Sequence, residues 1–171
     1  MIALDELLAV TLPDDAAVVD FTVRGEAVPQ GSPRAFIVGK GTDNARAQVV
    51  SGAKGKGSHG NPLARWRSAV SKAASDAMGD RAPITGPVAL ELVFTMRRPA
   101  SHHVANDRSR PLRATAPVWC DKRPDVGKLA RACEDSLSAV VYLDDAQVVD
   151  LHPTKPYGDT PGVRIVVRVL P

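Results

Sequence analysis

Two stretches of helical periodicity, 62–78 and about 125–138, lie among short runs of strand character that begin near residue 16 and end near 170. That interleaving limits the folds open to the chain. In PLARWRSAVSKAASDAM, Leu63, Trp66, Val70, Ala73/Ala74 and Ala77 recur on one face, with Pro62 suited to the first turn and Asn61 to the cap. The second stretch carries Leu129, Ala132/Cys133, Leu137 and Val140 as its apolar stripe. Strands are expected at about 16–24, 35–39, 88–96, 146–151 and 163–170, with AQVVS (47–51) as a sixth that forms a hairpin. Two helices and five or six strands in mixed order predict one α+β domain, a mixed sheet packed with two main helices. Strand order is not legible at this level.

The 171 residues suit one domain. No apolar run approaches the ~18–20 residues of a spanning helix, and no basic region precedes an apolar one at the N-terminus. Two cysteines, Cys120 and Cys133, make neither a disulfide scaffold nor a four-cysteine zinc site. A reduced, cytoplasmic protein with no membrane partner is expected. Residues 1–15 read as an acidic arm ahead of a domain over 16–171.

The net charge of +3 is unevenly placed. Residues 1–20 hold five acids and no base, whereas 97–123 holds Arg97, Arg98, Arg108, Arg110, Arg113, Lys122 and Arg123 against Asp107 and Asp121. A Pro- and Arg-rich connection of that length in a small domain suggests a binding element, and clustered bases suit a phosphate backbone. Arg34, Lys40, Lys54, Lys56, Arg97, Arg98, Lys122 and Arg123 are the candidate DNA contacts. GAKGKGS (52–58) lacks the spacing of a phosphate loop.

The densest chemistry lies in RPDVGKLARACEDSLSAVVYLDDAQVVD, 123–150. Asp125 stands at the mouth of the second helix, and Asp144 and Asp145 at the mouth of the strand that follows. Carboxylates gathered from element ends are what Mg²⁺ requires, with water and substrate phosphate completing the octahedron. Asp125, Lys128, Arg131 and Asp135 form one polar stripe, so Lys128 or Arg131 could face a phosphate. Singly, these residues have plainer readings: a helix cap for Asp125, a polar turn for Asp144–Asp145, and an i,i+4 ion pair for Arg131–Asp135. Together, beside a basic loop, they favour a metal-dependent enzyme acting on a phosphodiester.

Four histidines, His59, His102, His103 and His152, show no zinc spacing; His102 and His103 are expected to meet phosphate or solvent. Cys133 and Trp66 read as core. Trp119 reads either as a platform for an unpaired base or as an anchor for the loop.

The ordered set Pro124, Asp125, Lys128, Leu129, Arg131, Asp135, Leu137 and Asp144-Asp145-Ala146-Gln147-Val148, with VPQGSPRAF (28–36) upstream, resembles RusA-type Holliday junction resolvases. These are small dimeric endodeoxyribonucleases of bacteria and phages. The resemblance spans about 18–170. It implies a homodimer that binds four-way DNA junctions and nicks two opposing strands symmetrically with Mg²⁺ or Mn²⁺. In that reading Asp125, Asp144 and Asp145 hold the metal, Arg131 is the catalytic basic residue that stabilises charge at the phosphate, and Lys128 assists. One position departs: the family's second motif aspartate falls on Gly127. Either cleavage is lost or impaired, leaving a junction-binding protein, or Asp121 or Asp135 takes over.

Overall fold

The computed structural model describes residues 17–31, 34–50 and 61–171, so the acidic arm and the loop carrying Lys54 and Lys56 lie outside the described residues. In chain order the elements are β1 (Ala17–Arg24), β2 (Arg34–Val38), β3 (Arg46–Val50), α1 (Pro62–Met78), β4 (Val88–Arg97), α2 (Val126–Leu137), β5 (Val148–Thr154), β6 (Tyr157–Gly158) and β7 (Gly162–Val169). The main sheet runs β1-β7-β4-β5, and β6 also pairs with β4. β7 is antiparallel to both β1 and β4, whereas β5 and β6 are parallel to β4. This is the expected α+β arrangement. β2 and β3 form their own two-stranded sheet.

The two helices cover one face of that sheet. Leu63, Trp66, Val70, Ala74 and Met78 of α1 and Leu129, Ala132, Cys133 and Leu137 of α2 pack with Leu90, Leu92, Phe94, Val163, Ile165 and Val167. Removing such side chains from water at ~25 cal/mol per Å² is the main source of stability. Trp66 and Cys133 are core, as their periodicity implied; burial pushes the Cys133 thiol up to about 12. α1 begins where Asn61 Oδ1 accepts from Leu63 N at 3.0 Å, with Pro62 in its first turn. It ends at Gly79, whose φ of 57° is in the left-handed region.

One expected strand is displaced and one further strand is present. The strand expected from 146 starts at Val148, because Asp145–Gln147 forms a single 3₁₀ turn. The two-residue β6 is too short to announce itself by periodicity.

Candidate active site

α2 starts at Asp125, but the Asp125 side chain makes no capping hydrogen bond. Its carboxylate, 61% exposed, instead faces Lys128 Nζ at 3.1 Å, one turn along the helix. Four hydrogen bonds fix this helix mouth. Lys155 Nζ donates to the carbonyls of Lys122 (2.5 Å) and Pro124 (2.7 Å), Cys120 N donates to Lys155 O (2.9 Å), and Gln30 N donates to Lys128 O (2.9 Å). The VPQ segment before β2 is thereby tied to the helix start.

Gly127 follows in the first turn. A Cβ built on it meets nothing within 4 Å, and its φ lies outside the left-handed region. Neither crowding nor backbone conformation requires glycine there.

Further along α2, Asp135 bonds Arg67 of α1, and Arg67 also bonds Gln30. The expected Arg131–Asp135 pair therefore does not form; Asp135 faces α1, and Arg131 makes no ion pair among the described residues. Asp121, the other proposed substitute ligand, is exposed and faces Lys122 at 3.3 Å.

The second acidic group is built differently. Asp144 Oδ1 accepts from Ala146 N at 2.8 Å, and Gln147 Oε1 accepts from Asp144 N at 3.0 Å and Leu143 N at 2.8 Å, a capping box. Gln147 Nε2 then donates to Ile84 O (2.9 Å) and Gly86 O (2.8 Å), which pins the turn to the chain entering β4. Asp145 is exposed and lies near Glu134 of α2. Burial first, then the field of Asp145, raises the Glu134 carboxyl above its usual range, with Arg131 pulling it back and Asp135 adding to the rise. Tyr142, buried and beside Glu134, is raised as well, and its hydroxyl donates to Glu134 O at 3.3 Å.

One chain does not gather the three aspartates. Asp145 acts on Glu134, which stands nine residues after Asp125 on α2, about 13 Å along the axis at ~1.5 Å per residue. Among the described residues no three His, Cys, Asp or Glu side chains come together as a metal-binding group. The donor chemistry suits a hard divalent cation; the donor number within one chain does not make a three-carboxylate centre.

The candidate DNA contacts also divide. Arg97 is exposed and pairs with Glu26 at 2.8 Å, and Lys122, Arg123 and Lys40 are exposed. Arg98 is turned inward: it donates to Pro117 O (2.9 Å) and Tyr157 O (3.3 Å), and its guanidinium lies 5.5 Å from the Tyr157 ring centre. Arg113 is similarly occupied, donating to Ser101 O and His103 O. Both arginines brace the long connection, Arg98 from a buried position and Arg113 from an exposed one. The backbone of Arg34 lies in β2; its side chain, like Lys54 and Lys56, is outside the described residues.

His103 is a correction to the expected phosphate or solvent contact. It is buried, with Nδ1 2.8 Å from Arg110 O, while His102 packs edge-on against Tyr157 with ring centres 4.9 Å apart. Trp119 bridges to Pro156 through its backbone and keeps its side chain 44% exposed. Gln147, Gln30, Arg67 and Glu134 were not singled out as site residues from sequence. For Gln147 the signal was present, since Asp-x-x-Gln is a capping-box pattern.

This acidic helix mouth, the pinned Asp-Asp turn and the basic loop between strands are the setting of a nuclease. The family model "Endodeoxyribonuclease RusA" matches residues 39–168, and the chain belongs to that family of Holliday junction endonucleases. It is also similar to "Uncharacterized protein YqaN" of Bacillus subtilis (strain 168), with 30% identity over 151 residues, 88% of this chain and 95% of that protein. No helix among the described residues is long and apolar enough to cross a membrane.

Proposed function

We propose that the chain is a divalent-metal-dependent, structure-selective endodeoxyribonuclease that resolves four-way junctions by paired, symmetric phosphodiester cleavage as a homodimer. The observation that supports it most is the α2 mouth. There an exposed Asp125 carboxylate makes no capping bond, beside the exposed Lys122, Arg123 and Lys128. Asp125, Asp144 and Asp145 would hold Mg²⁺ or Mn²⁺, which when bound supplies positive charge to the scissile phosphate and lowers the pKa of an attacking water. Lys122 and Arg123 attract and position the backbone without reading sequence. Arg131, with no ion pair among the described residues, is available to stabilise charge on the phosphate.

The separation of the acidic groups favours the dimer. A second copy in two-fold arrangement would bring its own Asp-Asp turn to Asp125. β5 ends the main sheet, and Leu143, Val149 and Leu151 are exposed beside that turn, an apolar edge that a second chain would cover.

One observation favours a second reading. Gly127 contributes no carboxylate where the surroundings have room for one, which fits a protein that binds junctions and cuts them poorly or not at all. A labelled four-way junction, incubated with Mg²⁺ or Mn²⁺ and either this chain or Gly127→Asp, separates the two. Paired symmetric nicks from both proteins support the enzyme; nicks from Gly127→Asp alone support the binding protein. If neither protein cuts the junction or prefers it to duplex, both readings fail.

A further inference from the structure

We propose that the cleft between the end of β4 and the 119–124 segment receives one nucleotide of the DNA strand, its base on the apolar floor and its phosphate at the basic rim. This rests on the junction-nuclease reading and gives it a site for a single unit of the substrate.

The cleft encloses about 420 Å³, within the ~300–1,000 Å³ of small-ligand clefts. Met96, Pro99 and Tyr157 line its apolar part, and Arg97, Lys122 and Arg123 stand among its lining residues. Glu26, the acid among them, pairs with Arg97 at 2.8 Å and Lys122 pairs with the exposed Asp121 at 3.3 Å, so Arg123 is the rim cation with no ion pair among the described residues, with Lys122 beside it. Pro124 also lines the cleft, so its edge is one residue from Asp125. A ligand seated there lies next to the acidic helix mouth.

The floor is held in place. Arg98 lies over the Tyr157 ring and His102 packs against its edge. A hydrogen bond with Cys120, with burial adding, pushes the Tyr157 hydroxyl up to about 12, so the floor is neutral. The rim is held too, because Lys155 bonds the carbonyls of Lys122 and Pro124 beneath it. Tyr157 is 6% exposed with Arg98 over its ring, so Met96 and Pro99 offer the open apolar surface. Such a surface under a cationic rim matches the two parts of a nucleotide, a base that packs against it and a phosphate that pairs. Intact duplex keeps its bases stacked and paired, and extruding one costs free energy that is smallest where pairing is already disturbed. A crossover is such a place, so the cleft gives a physical reason for preferring branched DNA.

The experiment uses four-way junctions carrying 2-aminopurine at each position flanking the crossover in turn, titrated with the full chain in EDTA so that nothing is cut. One position is expected to change fluorescence at least twofold on binding. The change is expected to vanish in Ala27→Phe and to shrink in Ala27→Leu, which fill the cleft by graded amounts and whose melting curves report folding. An abasic site at the responding position is expected to weaken binding to the unaltered chain about tenfold, an arm that needs no variant. Junction preference over duplex with no responding position, or an abasic site without effect, overturns the cleft alone. Loss of the preference itself in the unaltered chain overturns the junction reading.

Discussion

The start of α2 and the turn before β5 carry aspartates that sequence treats alike and structure does not. Asp125 occupies the cap position and leaves the capping undone; among the described residues its carboxylate pairs with Lys128 alone. Asp144 caps a 3₁₀ turn, and Gln147 closes that turn with two hydrogen bonds from Leu143 N and Asp144 N and locks it to the chain before β4 with two more to Ile84 O and Gly86 O. One acid is therefore available for chemistry at little structural consequence, while the other is part of the scaffold that presents its neighbour Asp145. An acidic residue at an element end is not one kind of feature: what separates the two is which orphan N–H groups it satisfies.

The largest expected effect sharpens that contrast in activity. Asp125→Asn should reduce junction cleavage at least a hundredfold while leaving junction affinity and melting temperature unchanged, as read by strand nicking, gel shift and thermal melting. A melting loss comparable to that of Asp144→Ala would show that both acids are structural.

Next in size is Gln147→Ala. It leaves the N–H groups of Leu143 and Asp144 and the carbonyls of Ile84 and Gly86 without their partner. At ~1 kcal/mol per net hydrogen bond, discounted for water reaching the exposed groups, about 2–3 kcal/mol should be lost in urea unfolding. Asp144→Ala removes only the cap and should cost about 1 kcal/mol. Equal losses for the two variants would mean that the turn is held by the cap alone.

Gly127→Ala runs the other way. The position is helical, its φ is ordinary and the space is open, so the substitution should stabilise by about 0.5 kcal/mol, less than the full helix-interior difference because it sits in the first turn. Gly127→Asp should in addition raise Mn²⁺ affinity, measurable by calorimetry without any DNA. A destabilised Gly127→Ala would indicate that the first turn needs glycine for a reason its geometry does not reveal.

These contrasts also mark how far sequence reaches. Helical spacing located both helices to within a residue or two, and VALELVFTM was recognisable as a strand, because those signals are local. The ordered acidic and basic residues of 123–150 pointed to the nuclease family. What could not be read were partnerships set by tertiary distance. Asp135 lies at the right interval to pair with Arg131, yet α1 supplies Arg67, sixty-eight positions earlier, and the helical neighbour is left without it. Arg98 and Arg97 are adjacent and equally charged, but alternation at the end of β4 sends one inward to Pro117 and Tyr157 and the other outward to Glu26. Charge counting over 97–123 cannot separate an arginine that organises a loop from one that meets DNA.

The smallest effect tests the other end of the helix through pH. Glu134 has its carboxyl raised in the folded chain, first by burial and then by Asp145. With the folded value above the unfolded one, the native state holds more protons between them, so stability falls as pH rises from the ordinary glutamate range through the raised value and is flat above it. Metal-free protein in EDTA, unfolded by urea at steps between about pH 4 and 7, should show that decline against a background of the other carboxylates. Glu134→Gln should remove this part of the decline. Asp145→Asn should remove less of it, because burial is the larger cause and remains. If Asp145→Asn flattens the curve as fully as Glu134→Gln, charge repulsion rather than burial governs the site, and the Asp-Asp turn presses on α2 more closely than its exposed position suggests. If neither variant changes the slope, Glu134 is solvated and this end of α2 is as free of structural duty as the end at Asp125.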